Sequence, residues 1–374
     1  VKPILPGATI GILGGGQLGR MTAFAARTLG YHVNVLDPDP HAPAFAVANT
    51  AITAPFDDEI AAARLAESSD VVTLEIEQVS TVTIEACARF APTRPNAAAV
   101  YTVQERGRQK EFLASHRFPL GPFRIVENAD ECEAAVAALG PSIVKATMGG
   151  YDGRGQARVR TAAEGRAAFT AIGARRCVVE QFLDLDFELS VLVARSAMGE
   201  TVAYPPSRNH HEGGILVWAV VPSGTSAELE AQARTLATNI AEQLGIIGLL
   251  AVEMFVTKDG QLLVNELAPR PHNTYHHSER AMATSQFEQL VRAVCGLPLG
   301  DVSIVRPAAI HNLLGDRWEG RTPDAMGALQ VPRARLHLYG KKSARPGRKM
   351  GHISGCGDTA EEALAVVLES FRRF

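Results

Sequence analysis

The chain has 374 residues, of which 46% are hydrophobic and 21% charged, with a formal net charge of −3. That length suggests two or three domains, the apolar content excludes a disordered chain, and the near-neutral charge argues against a dedicated nucleic-acid binder. No apolar run reaches the roughly eighteen residues of a membrane span, the scattered cysteines Cys87, Cys132, Cys177, Cys295 and Cys356 form no CxxC pair, and no cleavable leader pattern precedes the first strand, so a cytoplasmic enzyme is expected.

Strand and helix alternate at first. Ala8–Leu13 reads as a strand, Gly14–Gly16 as a turn and Leu18–Leu29 as an amphipathic helix. His32–Leu36 is a second strand, ending at the turn Asp37-Pro38-Asp39-Pro40. A helix over Glu59–Glu67 leads to the strand Val71–Leu74. Strands separated by helices of this length predict a parallel sheet with right-handed crossovers. Pro92, Pro95 and Asn96 break the pattern and mark a boundary. A helix over Tyr101–Ser115 follows, carrying Arg106, Arg108, Lys110 and Glu111. Ser142–Ala146 and Gln156–Arg160 read as strands, Ala162–Ile172 as a helix, then Cys177–Glu180 and Glu188–Arg195 as strands. Leu229, Ala233, Leu236, Ile240 and Leu244 recur at helical spacing. Two strands, Leu250–Val256 and Gln261–Leu267, flank Lys258-Asp259-Gly260, and Pro, Gly and basic residues enrich the chain after Gly300.

Two glycine loops stand out. Gly14-x-Gly16-x-x-Gly19 joins strand to helix, with Asp37 ending the next strand, which fits a dinucleotide fingerprint. Gln17 and Arg20 suit a phosphate monoester equally, so NAD binding and an anion-friendly turn without that cofactor both stand. The second loop, Gly149 to Gly155, lies between two strands with Lys145 on the first. A P-loop would run into a helix. A glycine loop between strands reads either as a flap closing over phosphates that Lys145 reaches, or as an ordinary hairpin beside a surface lysine.

The strand pair around Asp259-Gly260 carries the chemistry. A two-residue turn there sets Glu253 directly opposite Glu266. Both strands are apolar at most other positions, as when both faces are covered. Facing carboxylates in that setting repel unless a cation lies between them, and Mg²⁺ fills that role in phosphoryl transfer. Asn265 adds a third oxygen. A three-residue loop would shift the register and spoil the pairing, and two solvated glutamates remain the other reading.

These residues resemble the ATP-grasp superfamily, and within it the ligases that carboxylate 5-aminoimidazole ribonucleotide in purine biosynthesis. The resembling stretches include Ile12–Met21, Gly150–Gln156, Asn265–Asn273, Thr284–Gln289, Asn312–Gly315 and Arg345–His352. Three departures are Gln78 where the family usually has Asn, Arg154 where Lys is common, and Thr274-Tyr275-His276 in place of Ser-Gly-His. The fold implied is α/β: a Rossmann-like parallel-sheet domain at 1–100, ATP-grasp domains at 101–298 (a flap part over 101–178 and a metal and substrate part over 179–298), and a small, mostly β domain at 299–374.

The resemblance implies that ATP phosphorylates bicarbonate to carboxyphosphate, whose carboxyl group is captured by the amine of the ribonucleotide. Glu253 and Glu266 would hold Mg²⁺, with Asn265 beside the ATP. Arg106 and Lys145 would bind phosphates under the flap Gly150, Tyr151, Asp152, Gly153, Arg154, Gly155 and Gln156. Glu180, Gln181, Phe182 and Leu183 would meet adenine, Glu188 the ribose, and His211 the ATP. Arg270, His272 and Asn273 would take bicarbonate, with Asp152 a candidate for proton handling. Gln17, Leu18, Glu75, Tyr151, Asp152, Arg154, His272, Lys341, Arg345 and Arg348 would bind the ribonucleotide. Neither NAD nor biotin, and no nucleic-acid or membrane partner, is implied; a homodimer is. Rivals are an ATP-grasp ligase for another small acid such as formate, an NAD-dependent oxidoreductase, and a regulatory nucleotide-binding protein.

Overall fold

The computed structural model describes residues 2–149, 155–173 and 175–374. Among them, four parallel strands in the order Thr50–Thr53, His32–Asp37, Thr9–Leu13, Val71–Leu74 form the first sheet. Thr9–Leu13 and Val71–Leu74 are buried apart from the half-buried Thr9, hence their mostly apolar runs. Thr50–Thr53 is a short, mostly exposed edge that the hydropathy pattern does not reveal.

A second sheet is antiparallel, in the order Phe123–Val126, Cys177–Gln181, Ser142–Ala146, Gln156–Val159, and it carries the second glycine loop at one end. The expected single helix over Tyr101–Ser115 is two, Ala97–Gln104 and Arg106–Ser115. Glu105 between them is extended, and its carboxylate caps the second helix at the Arg108 N–H, 2.6 Å away. A capping acid in that conformation ends one helix while starting the next.

The third sheet is the largest, running Leu262–Ala268, Gly248–Thr257, Leu185–Arg195, Ser207–Glu212, Ile215–Val221, Ala308–Leu314, Lys349–Cys356, Ala334–Leu338. The last three strands belong to the region after residue 299, so that region extends the central sheet through the pairing of Ile215–Val221 with Ala308–Leu314. It also has its own apolar cluster under the helix Ala360–Arg373, including Ile353, Ala363, Val367 and Phe374. The strand Gly248–Thr257 shows why its sequence is nearly all apolar. Leu250, Val252 and Met254 pack on one face with Ala237 and Ile240 of the helix Ala227–Leu244. Leu249 and Ala251 pack on the other with Leu290 and Val294 of the helix Gln286–Cys295. The period of two then carries Glu253 to the end of that second face.

Candidate active site

Glu253 pairs with Glu266, as the sequence predicts, but the turn differs from the expected one. Thr257 N–H donates to Gln261 O at 3.0 Å, enclosing a three-residue loop with Gly260 at φ +83°. Such a loop shifts the register by one, and the pairs nearest the turn are Val256–Leu262 and Met254–Val264. A bulge at Asn265 then restores it, since Met254 faces Val264 while Glu253 faces Glu266. The extra residue also brings Asn265 to the site, its Nδ2 lying 3.5 Å from Glu253 Oε2.

Burial raises the Glu253 carboxyl above its ordinary range; the neighbouring Glu266 adds to this and His211 opposes it. A buried carboxylate opposed by another is the donor set a hard divalent cation would neutralise. Arg106 Nη1 meets Glu266 Oε2 at 3.1 Å. His211 Nδ1 lies 2.7 Å from Glu188 Oε2. A slip in register between His210 and His211 aims that ring inward. Burial opposes its protonation, but the Glu188 hydrogen bond and the Glu253 charge raise its pKa overall.

Lys145 Nζ and Lys110 Nζ lie 2.7 and 3.4 Å from the two oxygens of Glu180. Although burial opposes it, the two ammonium groups hold the Glu180 carboxyl down at about 2. Lys110 also donates to the Asn265 carbonyl at 3.2 Å, tying the second sheet to the bulge. These groups line a cavity of about 300 Å³ with Gln181, Phe182, Leu183 and Phe255. The Gln181 and Phe182 amides already donate to the carbonyls of Pro122 and Pro141, so neither amide is free to meet a base. Gly155 and Gln156 follow at the flap's end, and Gln156 pairs with Lys145. Gly150, Tyr151, Asp152, Gly153 and Arg154, expected in the flap, lie outside the described residues. A larger hollow of about 720 Å³, near Arg208, Ser226 and Lys258, shares no residue with this cavity.

Arg270 is not the open fork expected for bicarbonate. Its Nε and Nη2 form a bidentate pair with Glu77, the Nη2 contact being 3.1 Å, and Nη1 donates to Pro271 O at 3.1 Å. His272 Nε2 lies 3.4 Å from Glu253 Oε1. Both backbone groups of His272 are held by one side chain: Gln286 Oε1 accepts from its N–H at 2.8 Å, and Gln286 Nε2 donates to its carbonyl at 3.0 Å. Asn273 buries both polar side-chain atoms without a hydrogen-bond partner. Unmet buried polar groups cost about 1–3 kcal/mol each, which a polar ligand would offset.

The first glycine loop is filled from within. Glu75 accepts from Gly16 N–H and Gly19 N–H, each at 2.9 Å, and Asp37 accepts from Gly15 N–H at 2.6 Å. A side chain at Gly14 or Gly16 would strike Glu75, at 2.5 and 2.6 Å. The glycines thus make room for a carboxylate of the chain itself, at the helix end where a dinucleotide would set its pyrophosphate. Glu75 is therefore tied up by the loop, and Leu18 turns into an apolar cluster with Met21 and Phe287, while Gln17 stays half-buried at the helix start.

Around the basic loop, Lys341 Nζ donates to Lys349 O at 2.9 Å and Arg348 Nη1 to Ser343 O at 2.9 Å, while Arg345 is exposed. Gly315 N–H donates to Arg348 O and Gly347 N–H to Asp316, which pins the turn. Elsewhere, Glu279, His337 and His352 bring one possible metal-ligand atom each within 4.8 Å. The two imidazoles stack in parallel, 9° apart at 4.3 Å, so their lone pairs run side by side rather than converging on an ion.

The sequence by itself gives Lys110, Glu77 and Thr274 no role. The four-residue spacing of Arg106 and Lys110, which puts both on one helix face, was the available signal for the first. Nothing local marks Glu77 as the partner of a residue 193 positions away.

A flap sheet facing a carboxylate-bearing strand pair across a lysine-lined cavity defines an ATP-grasp ligase. Residues 7–104 match the ribonucleotide synthetase preATP-grasp domain, 111–287 the ATP-grasp domain, and 308–366 the phosphoribosylaminoimidazole carboxylase C-terminal domain. The chain belongs to the N5-carboxyaminoimidazole ribonucleotide synthase family. It is 40% identical to the Bacillus subtilis synthase over 94% of this chain and 92% of that one. With the Brucella melitensis synthase it shares 43% over 93% and 96%. A solved ADP complex of an N5-carboxyaminoimidazole ribonucleotide synthetase superposes with TM-score 0.94 at 40% identity, covering 99% of this chain and 98% of that one. The Aspergillus clavatus enzyme, solved with ADP and 5-aminoimidazole ribonucleotide, gives 0.89 at 32% identity over 98% and 99%.

Proposed function

We propose that this chain uses ATP to carboxylate the exocyclic amine of 5-aminoimidazole ribonucleotide with bicarbonate, releasing ADP and phosphate. The observation that carries this reading is one cluster: Glu253 opposite Glu266, with Asn265, Arg106 and His272 against them. A bicarbonate oxygen attacks the γ-phosphoryl group to give carboxyphosphate. The amine then takes the carboxyl carbon, its C–N bond forming as the C–O bond to phosphate breaks and the amine proton leaves.

Positioning and charge neutralisation do most of the work in such a transfer. Arg106 and Lys145 are the phosphate cations, and the segment from Gly150 to Gln156 is assigned as the flap that would close over them. Adenine takes the cavity beside Phe182 and Leu183, and Glu188 and His211 meet the ribose and phosphates. Glu253, Glu266 and Asn265 suit Mg²⁺, which would neutralise phosphate charge when bound. His272 and Asn273 present polar atoms to bicarbonate, while Arg270, held by Glu77, supplies the positive field behind them. Asp152 is assigned the proton released by the amine. Gln17, Tyr151, Arg154, Lys341, Arg345 and Arg348 are assigned to the ribonucleotide and its phosphate. A homodimer in the cytoplasm is the assembly and location this reading carries.

The test is ADP release measured with Mg²⁺-ATP, omitting bicarbonate and the ribonucleotide in turn. Turnover is expected to require both, and Glu266→Gln to lose it by orders of magnitude. Full turnover without the ribonucleotide would overturn the assignment.

A further inference from the structure

Behind His272 runs a line of buried hydroxyls that the reaction itself does not require. Thr274 Oγ1 lies 2.8 Å from His272 Nδ1, and Ser190 Oγ donates to Thr274 Oγ1 at 2.9 Å. Thr274 and Ser190 are both 0% exposed. Ser190 stands on the strand Leu185–Arg195, paired with Glu253, so the line begins and ends on neighbouring strands. Its backbone carbonyl accepts from the Tyr275 hydroxyl at 2.9 Å, which fixes the segment after Thr274 to the same strand.

A hydroxyl both donates and accepts, so Thr274 can bond the His272 Nδ1 in either tautomer while its oxygen stays tied to Ser190. Ser190 Oγ also lies 3.4 Å from Asn209 Oδ1, which anchors the far end of the line. Gln286 already holds the His272 backbone, so Thr274 settles the one remaining freedom, the rotation of the ring.

We propose that Thr274 is a positioning residue for the carboxylation, holding the His272 imidazole with its Nε2 edge toward Glu253. The inference rests on the assignment of His272 to bicarbonate. Any β-branched residue would fill the space, whereas only a hydroxyl completes the line. The chain's Thr in place of the family's usual Ser keeps that hydroxyl and adds a methyl group that restricts its rotation.

The experiment measures kcat and KM for each substrate in Thr274→Val, Thr274→Ser and Ser190→Ala. Thr274→Val, nearly the same shape, is expected to lose roughly 10–100-fold in kcat/KM for bicarbonate, the usual cost of removing a partner that orients a functional ring. Its KM for ATP should stay within about twofold, and Thr274→Ser should recover most of the loss. Wild-type bicarbonate kinetics in Thr274→Val would overturn the proposal, as would a Thr274→Ser enzyme no better than Thr274→Val. Nitrogen NMR of the imidazole supplies a readout independent of turnover. The wild-type Nδ1 should show a shift perturbed by its hydroxyl partner, and Thr274→Val should lose that perturbation while Thr274→Ser keeps it. Identical Nδ1 shifts in wild type and Thr274→Val would refute the arrangement even if the enzyme proved to act on another acid.

Discussion

Lys110 shows how one side chain can be both structural and functional. Its ammonium is buried between the Glu180 carboxylate and the Asn265 carbonyl. Replacing it with Met removes one of the two ammonium groups paired with Glu180 and leaves the carbonyl without that donor, at a cost of about 1–3 kcal/mol. The sign of the pH effect follows from Glu180. Its carboxyl is held from 4.5 down to about 2 in the folded protein, so it contributes stability above about 4.5 that is lost as pH falls toward 2. Denaturant unfolding across that range should show Lys110→Met losing stability at higher pH than the wild type. An unchanged acid limb would mean that Lys145 and Arg106 suffice to hold the Glu180 charge. Residue chemistry of this kind is only partly legible in sequence. Lys145, Glu253 and Glu266 stand out there because charges interrupt apolar strands. Glu77 and Thr274 do not, because their partners are set by tertiary packing.

At the scale of elements, the strand pair and the first glycine loop teach opposite lessons. Hydrophobic alternation locates both strands and sets the carboxylates face to face, yet the turn has three residues and the Asn265 bulge makes up the difference. A bulge has no signature in the hydropathy pattern, since it inserts one residue without changing which residues are apolar. Deleting Asn265 should remove the bulge and let Glu266 follow Val264 directly, still opposite Glu253, so the protein should stay folded by circular dichroism while ADP release falls because the Asn265 contacts with Glu253 and Lys110 are lost. Full activity would show that those contacts are dispensable. In the glycine loop the spacing is that of a dinucleotide site, but Glu75 and Asp37 occupy its N–H groups. Spacing records the room that glycines make, and says nothing of which anion fills it. Glu75→Ala should therefore cost about 1–3 kcal/mol from the stranded amides, measured by urea unfolding. No loss would mean that solvent satisfies them.

Across the whole molecule, the largest sheet carries Glu253, Glu266, Glu188 and His211 and continues into the strand that bears Lys349 beside the basic loop. The Arg270 pair with Glu77 ties the first sheet's region to the same site. The order of elements and the parallel first sheet follow from periodicity and crossover rules. The joining of the last region to the central sheet does not, because the pairing of Ile215–Val221 with Ala308–Leu314 spans most of a hundred residues. All three regions thus converge on one centre, as a reaction joining ATP, bicarbonate and a ribonucleotide requires.

In the proposed reaction bicarbonate itself is phosphorylated. The most direct measurement supplies bicarbonate labelled with heavy oxygen, together with ATP, Mg²⁺ and 5-aminoimidazole ribonucleotide, and follows the label by mass spectrometry of the released phosphate. Transfer of one labelled oxygen to each phosphate is predicted, since the bridging oxygen of carboxyphosphate leaves with phosphorus. Unlabelled phosphate, formed at the same rate as the carboxylated product, would contradict it.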